Sequence, residues 1–269
     1  MAKEMLINAD CLEAMAELPD ASVDMVLTDP PYGTTQCKWD SIIPLEPMWD
    51  QLKRVTKPNG AIVMTASQPF TTTLIASNME MFKYCWVWSK GQGTGFLNAK
   101  KQPLRSCEDV VVFYGSQCTY NPVMRTGFKP YKCTQGRTKT QNYSKYSTAV
   151  TVSNGERYPL TLIEFKRDSS KSHPTQKPVA LMEYLIKTYT NEGETVLDFT
   201  MGSGTTGVAC ANLGRDFIGI EKDPKYFEIA KDRIDNGKGN ATIHFGMGQR
   251  DWHGSQDGRE DSRPDQARG

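Results

Sequence analysis

VLDFTMGSGTT, residues 196–206, is the stretch that decides the fold class of this 269-residue chain. An apolar run ends in Asp198, a glycine-rich turn follows, and a segment with helical spacing of apolar residues then continues to Leu213. A strand that passes through a tight turn into a helix is the repeating unit of an α/β fold. We predict that Ser203 or Thr205 caps the helix, because hydroxyl side chains are favoured at that position.

The same turn has the features of a site for an adenosine-containing ligand. Glycines such as Gly202 and Gly204 let a ligand approach the backbone at the amino end of a helix. Glu221 ends the next apolar run, about 20 residues on, where an acid commonly binds ribose hydroxyls. The spacing predicts adenosine binding without saying which adenosine cofactor is bound.

Six further apolar runs resemble the first, and segments with helical spacing separate them. Near-continuous apolar runs of this length predict strands that are buried on both faces, and hence a mostly parallel seven-stranded sheet. The predicted strands are 5–10, 23–29, 61–65, 84–88, 109–114, 195–199 and 216–221, with a turn at 57–60 before the third. The predicted helices are 12–18, 48–55, 70–79, 179–189, 205–213 and 226–234.

A second motif, Asp29-Pro30-Pro31-Tyr32-Gly33, directly follows the second predicted strand. Its two prolines lack amide donors and stiffen the turn. The Asp29 carboxylate and the Pro30 carbonyl are two acceptors beside the aromatic ring of Tyr32. This combination suits a flat substrate that carries an amine. For the motif taken alone, an ordinary proline turn that ends a strand is an equal alternative.

One internal block is strongly basic, although the whole chain has a net charge of only +1. Residues 121–173 hold 10 Lys/Arg and 3 Asp/Glu, whereas residues 1–120 have a net charge of −3 and residues 174–248 of −2. The block also lacks the alternation of strand and helix. These features indicate an insert that binds a polyanion, with a solvated loop as the alternative. From residue 248 onward almost no residue is apolar, and we expect disorder there.

Composition excludes several other classes of protein. The seven cysteines include no C-x-x-C pair and the three histidines lie near no cysteine cluster, which argues against a disulfide framework and a zinc site. We therefore expect no metal, and reduced thiols in a bacterial cytoplasm. No run approaches the roughly 18 apolar residues of a membrane helix, and the amino terminus has no signal-peptide core. We expect no membrane partner.

The two motifs together resemble those of the DNA amino-methyltransferases that use S-adenosylmethionine, the adenine-N6 and cytosine-N4 methylases. The segment HPTQKP at 173–178 resembles the one that precedes the cofactor strand in this family. The Asp29 motif comes first, the basic block follows and the glycine turn comes last, which is the circularly permuted order called class β. In its general features the sequence resembles the small methylases of phages and prophages. One departure is Phe199, where the family usually has proline, and we expect altered packing there.

This resemblance implies an α/β, Rossmann-like methyltransferase domain in two halves. The catalytic half is 1–120, the target-recognition insert is 121–173, the cofactor-binding half is 174–247 and the tail is 248–269. The implied cofactor is S-adenosylmethionine, and the implied partner is double-stranded DNA. The oligomeric state is left open between a monomer and a homodimer, as is pairing with a restriction endonuclease.

The resemblance also assigns residues to roles. Asp29 and the Pro30 carbonyl would bind the target amine, Pro31 would stiffen the turn, and Tyr32 would stack on a base flipped out of the helix. Direct displacement on the methyl group then needs no covalent enzyme intermediate. The cofactor residues implied are Asp10, Thr175, Gln176, Lys177, Asp198, Phe199, Gly202, Gly204, Thr205 and Glu221. The DNA-binding residues implied are Lys38, Arg125, Arg137, Lys139 and Arg157. For Asp10, a helix N-cap is a nearly equal alternative.

We expect the methylated atom to be N6 of adenine, because the cytosine enzymes of this family more often carry serine at the position of Asp29. Cytosine N4 is the alternative within the same chemistry. A catalytically silent DNA-binding regulator with the same fold is the alternative from a different class, and the intact motifs argue against it. A nicotinamide oxidoreductase is the least favoured alternative, because we expect the spacing of the glycines in the turn to disfavour a nicotinamide cofactor.

Overall fold

The computed structural model describes residues 2–34, 40–135, 149–167 and 176–237. Within these ranges the centre of the molecule is an eight-stranded sheet in the order β1-β10-β9-β2-β3-β5-β4-β8. Its strands are β1 (Glu4–Ile7), β2 (Val23–Thr28), β3 (Thr56–Ala66), β4 (Phe82–Thr94), β5 (Arg105–Phe113), β8 (Leu162–Glu164), β9 (Thr195–Asp198) and β10 (Asp216–Ile220). A separate antiparallel pair is formed by β6 (Tyr131–Gln135) and β7 (Ala149–Ser153).

The strand order brings the two sequence motifs to the same place. β9 and β10 come late in the chain, yet they lie between β1 and β2, so that β2 and β9 are parallel neighbours. The Asp29 motif follows β2, and the glycine turn follows β9. The chain proceeds from these two strands in opposite directions across the sheet, which opens a ligand crevice at their carboxyl ends. This order confirms the predicted circularly permuted α/β fold.

The sheet is mostly parallel, as predicted, but it has eight strands in the described residues rather than seven. Within this eight-stranded sheet, antiparallel pairing is confined to β3 with β5 and β5 with β4. The additional strand, β8, lies inside the segment 121–173 and pairs parallel with β4. Ile163 at its centre is buried in the main core. A three-residue strand with one buried side chain is too short to give a periodic sequence signal.

Helices cover both faces of the sheet. In the described residues they are α1 (Cys11–Ala16), α2 (Leu45–Val55), α3 (Phe70–Ser77), α4 (Val179–Tyr189), α5 (Thr205–Leu213) and α6 (Pro224–Gly237), and each overlaps a predicted helix. Side chains of α1, α2 and α3 pack in one core, whereas side chains of α4, α5 and α6 pack in the other. The sheet is therefore the middle layer of three.

Burial on both faces explains why the strands are continuous apolar runs. In β2, Met25 and Leu27 belong to one core and Val26 to the other, and all three are fully buried. The turn predicted at 57–60 lies within β3 instead. There the register of β3 against β2 breaks between Thr56 and Ala61, so these residues form an irregularity in the strand.

Two arginines of the basic block pack against one aromatic ring. The backbones of Arg125 and Arg157 pair through two hydrogen bonds of 2.8 and 2.9 Å. Their guanidinium carbons lie 5.1 and 5.2 Å from the ring centre of Phe128, and that of Arg157 also lies 4.5 Å from the ring centre of Tyr131. Cation–π contacts of this kind hold the two arginines against Phe128 and the start of β6.

The described residues contain no helix long and apolar enough to cross a membrane. Across the same ranges no group of three or more His, Cys, Asp or Glu side chains is placed to hold a metal ion. The cysteines of this part of the chain are free, and burial raises the pKa of Cys11, Cys85 and Cys118 to about 11. These thiols are therefore protonated packing groups at neutral pH.

Candidate active site

A cavity of about 730 Å³ lies at the carboxyl ends of the central strands and holds both sequence motifs. Pockets for drug-sized ligands have volumes of roughly 300–1,000 Å³. The predicted site residues that line it are Asp10, Asp29, Pro30, Pro31, Tyr32, Gln176, Lys177, Asp198, Phe199, Gly202, Thr205 and Glu221. Residues that are far apart in the chain therefore form one site.

The acid after β10 is bound to the glycine turn after β9. Glu221 Oε2 accepts a hydrogen bond of 2.9 Å from the backbone N–H of Gly202, and its Oε1 accepts one of 2.8 Å from that of Asp223. Burial raises the pKa of Glu221 above its usual value. Each carboxylate oxygen keeps a second lone pair, so Glu221 can still accept from a ligand hydroxyl.

Gly204 is the N-cap of α5, so the predicted capping by Ser203 or Thr205 is wrong. It has φ 78° and receives no side-chain capping bond. A Cβ atom at this position would lie 2.9 Å from the Cβ of Ala230 on α6. Position 204 requires glycine because the backbone there is left-handed and because α6 approaches closely. The helix therefore begins at a tight glycine turn rather than at a residue with a polar capping side chain.

Gly207 also serves the packing of α5. A Cβ atom there would lie 2.4 Å from Cδ1 of Ile234 on α6. Gly202, Gly204 and Gly207 in fact have the spacing G-x-G-x-x-G, in which the third glycine permits close packing of the helix. The expectation that glycine spacing disfavours a nicotinamide cofactor is therefore wrong, and the choice of cofactor rests on the rest of the site.

Asp198 links the base of the glycine turn to the end of β2. Its carboxylate accepts hydrogen bonds from the hydroxyls of Thr28 and Thr206, at 2.7 and 2.6 Å. The Thr28 hydroxyl also lies 2.6 Å from that of Thr200. Burial raises the pKa of Asp198 to about 6, and the hydrogen bonds counteract it only in part. Asp198 therefore holds the two motifs in register.

Asp10 is both an N-cap and a cavity residue. Its Oδ1 accepts a hydrogen bond of 3.0 Å from the N–H of Leu12 at the start of α1, and its Oδ2 lies 3.2 Å from Nζ of Lys222. Burial acts against the charged form, but the amide and the ammonium hold the pKa of Asp10 below its usual value. The N-cap alternative from the sequence is thus present in the structure.

The Asp29 carboxylate is held by three donors. Its Oδ1 accepts hydrogen bonds from the Tyr32 hydroxyl, at 2.6 Å, and from the Thr65 hydroxyl at the end of β3. Its Oδ2 lies 2.6 Å from Nζ of Lys177. A carboxylate has about four acceptor positions, so one position on Oδ2 is left for a further donor from the cavity.

Lys177 belongs to a row of alternating charges at the wall of the cavity. Its Nζ also lies 3.4 Å from Oε2 of Glu108, whose Oε1 lies 3.1 Å from Nζ of Lys90. Burial lowers the pKa of the Lys177 ammonium, but the carboxylates of Asp29 and Glu108 outweigh burial and raise it overall. The ammonium is therefore charged at neutral pH and stays beside Asp29.

Tyr32 is fixed from several sides. Its ring stacks on Phe70 with a centroid distance of 5.4 Å and an interplanar angle of 22°. The Lys177 ammonium lies 5.7 Å from the ring centre. Burial, together with the charge of Asp29, raises the pKa of Tyr32 well above its usual value, so the hydroxyl remains a donor. The ring is part of a rigid wall rather than a mobile side chain.

The turn after the Asp29 motif is secured by Asp40. One oxygen of its buried carboxylate accepts from the N–H of Gly33 and the other from that of Thr34, both at 2.9 Å. Sequence reasoning does not identify Asp40, Thr65 or Glu108. None stands in a recognisable motif, and only the fold brings them to the site.

Several predicted site residues lie elsewhere. Arg125 and Arg157 pack within the basic block, and both guanidinium groups donate to its backbone carbonyls. Gly204 lies under α6. Lys38, Arg137, Lys139 and Thr175 lie outside the described residues.

Comparison with known proteins gives a consistent picture. The family model for N6 and N4 methyltransferases, described as DNA methylase, matches residues 23–232. The type II methyltransferase M.HpaI of Haemophilus parainfluenzae is 28% identical over 250 residues, 87% of this chain and 74% of that protein. The type II methyltransferase M2.LlaDCHI of Lactococcus lactis subsp. cremoris is 28% identical over 262 residues, 87% of this chain and 90% of that protein.

Solved structures show the same similarity. The crystal structure of the M1.HpyAVI–SAM complex is 27% identical, has a TM-score of 0.59, and the match covers 86% of this chain and 99% of that chain. The cytosine-N4-specific PvuII DNA methyltransferase has a TM-score of 0.62 at 16% identity, over 87% of this chain and 86% of that chain, and this likeness concerns the fold alone.

Proposed function

Because the chain belongs to the family of N6 and N4 DNA methylases, we propose that it methylates N6 of adenine at a specific sequence in duplex DNA, with S-adenosylmethionine as the methyl donor. The single observation that supports this most is the Asp29 carboxylate, which is held by three donors at the wall of the cavity that also contains the glycine turn.

The choice of adenine depends on residue 29. Both adenine N6 and cytosine N4 are exocyclic amines, so the geometry of an acceptor suits either base. Among the N6 and N4 DNA methylases, the cytosine enzymes more often carry serine at this position, whereas this chain has Asp29. A carboxylate is a stronger acceptor than a hydroxyl, since hydrogen bonds to ionised groups are roughly twice as strong as neutral ones.

The cavity fits S-adenosylmethionine in size and in the chemistry of its wall. Glu221 and Asp10 follow the neighbouring strands β10 and β1. The Glu221 carboxylate suits the hydroxyls of a ribose, and Asp10 is assigned to the adenine of the cofactor. The Asp198 carboxylate supports the glycine turn by accepting a hydrogen bond from the Thr206 hydroxyl. The backbone at Gly202 is open to a ligand, because a Cβ atom there would have no neighbour within 4 Å. When bound, the cofactor supplies an electrophilic methyl group for direct displacement by the target amine.

The chain's own residues then orient the amine. We assign the remaining acceptor position on Asp29 Oδ2 and the carbonyl of Pro30 to its two N–H groups. Hydrogen bonds to both favour a pyramidal nitrogen, whose lone pair is freed from the ring. Lys177 holds the carboxylate in place, so that little reorganisation accompanies the reaction. The Tyr32 ring, which is backed by Phe70, gives the flipped base a flat surface at the cavity wall.

We assign DNA recognition to residues 121–173, with the catalytic half before them and the cofactor-binding half after. Lys129, Lys132 and Lys166 are exposed, as a residue that contacts phosphates must be. Arg125 and Arg157 are already engaged within the block. We therefore assign the reading of a base to Arg137, the third arginine that the sequence assigns to DNA. Lys38 and Lys139 are assigned to phosphates.

The proposal is tested by incubating the purified protein with S-adenosylmethionine and unmethylated duplex DNA, followed by mass spectrometry of the digested nucleosides. Detection of N6-methyldeoxyadenosine supports adenine methylation. N4-methyldeoxycytidine alone would replace adenine by cytosine within the same family. DNA binding without any methylated nucleoside would instead support the catalytically silent regulator.

A further inference from the structure

The tip of the hairpin that joins β4 to β5 presents two adjacent apolar side chains to solvent. Phe96 is 72% exposed and Leu97 is fully exposed. They lie in a short 3-10 helix, Phe96–Asn98, that Gly95 begins with φ 89°. A single exposed leucine needs no explanation, but an adjacent phenylalanine and leucine at the end of a projecting hairpin form a contact surface without a partner in the described chain.

This hairpin rises from the wall of the catalytic cavity. Trp88 of β4 pairs with Glu108 of β5, and both residues line the cavity. From that pair β4 continues to Thr94 and β5 starts at Arg105, three residues before Glu108, or roughly 10 Å at the rise of an extended strand. Because β5 runs antiparallel to β3, the tip projects from the sheet edge at which the Asp29 motif begins.

The charge of the hairpin suits a polyanion. Residues 89–107 contain four basic residues and no Asp or Glu, although residues 1–120 as a whole are acidic. Lys90 is buried against Glu108, whereas Lys100, Lys101 and Arg105 are exposed beside the apolar tip. Apolar side chains flanked by exposed cations match the chemistry of a base stack flanked by phosphates.

We propose that Phe96 and Leu97 form a wedge that enters the base stack of duplex DNA beside the target nucleotide, while Lys100 and Lys101 contact the adjacent phosphates. The proposal rests on the proposed function. Extruding a base leaves a gap in the stack, and an apolar wedge that fills it stabilises the extruded state. The tip extends beyond the Trp88–Glu108 pair of the cavity wall, on the side of the sheet that carries the Asp29 motif, and this places the wedge to meet the duplex beside the extruded base.

The test compares two duplexes that carry the sequence methylated by the wild-type protein. In one the target base is paired, and in the other it faces an abasic site, which makes extrusion easy. For Phe96→Ala/Leu97→Ala we expect single-turnover methylation of the paired duplex to fall at least about tenfold, and that of the abasic duplex by less than about threefold. With 2-aminopurine at the target position, the fluorescence of the complex should be lower for the variant than for the wild type, in parallel with the rate on the paired duplex.

Met79→Ala is the matched control, because Met79 is 62% exposed and lies before the start of β4, at the opposite edge of the sheet. It should change neither rate. Equal losses on both duplexes, or no loss on either, would overturn the wedge while leaving the proposed function in place. A folded wild-type protein that methylates no duplex would remove the proposed function and the wedge with it.

Discussion

The ammonium nitrogen of Lys177 lies 2.6 Å from Oδ2 of Asp29, although the two residues are 148 positions apart in the chain. By resemblance the sequence assigns Lys177 to the cofactor, together with its neighbours in the HPTQKP segment. In the structure its charge lies between Asp29 and Glu108. We infer that Lys177 is a positioning residue for the proposed acceptor, and its loss should affect the chemical step.

Lys177→Met should lower kcat by roughly 10–100-fold, because it removes the cation that orients and balances the Asp29 carboxylate. Affinity for S-adenosylmethionine should change by less than about threefold. Lys177→Arg should retain more activity than the methionine variant, since it keeps the charge. Steady-state kinetics and calorimetric titration of the cofactor provide the two measurements.

Lys231→Met, an exposed change on α6, is the matched control and should leave both quantities unchanged. If Lys177→Met instead weakened cofactor binding severely while kcat at saturation stayed normal, the cofactor role implied by the resemblance would be correct.

The two glycines of the turn should respond differently to substitution. Gly204→Val introduces a side chain against Ala230 on α6, so it should lower the melting temperature of the protein before any ligand is added. Gly202→Ala adds its methyl group in open space at φ 52°, and should cost only the strain of the left-handed backbone, about 1–2 kcal/mol. For an equal loss of folding stability, Gly202→Ala should weaken cofactor binding more than Gly204→Val does.

Differential scanning fluorimetry with and without S-adenosylmethionine separates the two effects. Equal melting temperatures for the Gly204→Val variant and the wild type would show that α6 does not approach the turn as closely as described.

Asp198 should make stability depend on pH in the acidic range. Its pKa in the folded protein is raised to about 6 from the ordinary 3.8, so the folded state binds more protons than the unfolded state between these values. Stability should therefore fall as pH rises from 4 to 6 and level off above it, by no more than about 3 kcal/mol.

Urea unfolding of the wild type and of Asp198→Asn at several pH values isolates this contribution. The free energy of unfolding of the wild type minus that of the variant should decrease between pH 4 and 6. A difference that increased with pH would mean that hydrogen bonds from Thr28 and Thr206 outweigh burial.

Exposed lysines of the basic block should contribute a non-specific electrostatic term. Replacing Lys129, Lys132 and Lys166 together by glutamine should reduce the slope of log K against log salt by about 2–3, because each phosphate contact contributes close to 0.9. Binding should weaken alike for all sequences, and the affinity for S-adenosylmethionine should not change. Fluorescence anisotropy at several salt concentrations measures the slope.

Lys53→Gln, an exposed change on α2, should leave the slope unchanged. An unchanged slope in the triple variant would favour the alternative in which residues 121–173 are a solvated loop. Exchange of the whole block with that of a relative should then also leave the methylated sequence unchanged.

The architecture could be predicted because its determinants are local. Each long apolar run has its own boundary signals, and both faces of the sheet are covered, so the strands and helices around Asp29 and Asp198 follow from the sequence. The eighth strand could not be predicted, since β8 has a single buried residue, Ile163.

The contacts within the site depend on tertiary structure and could be predicted only in part. The sequence identifies Asp29, Tyr32 and Glu221 through their motifs. It gives no signal for Thr65 or Glu108, because a lone threonine or glutamate near a strand end is common. It also assigns the glycines to ligand approach, whereas Gly204 is needed chiefly because α6 packs on it.

The most direct test of the account is methylation-aware sequencing of DNA from a host without its own DNA methylases, expressing either the wild type or Asp29→Ala. We predict N6-methyladenine within one short sequence for the wild type. We predict none for the variant, which should still bind S-adenosylmethionine because Asp29 acts on the target amine. Methylation confined to cytosine N4, no methylation at all, or near wild-type methylation by Asp29→Ala would contradict it.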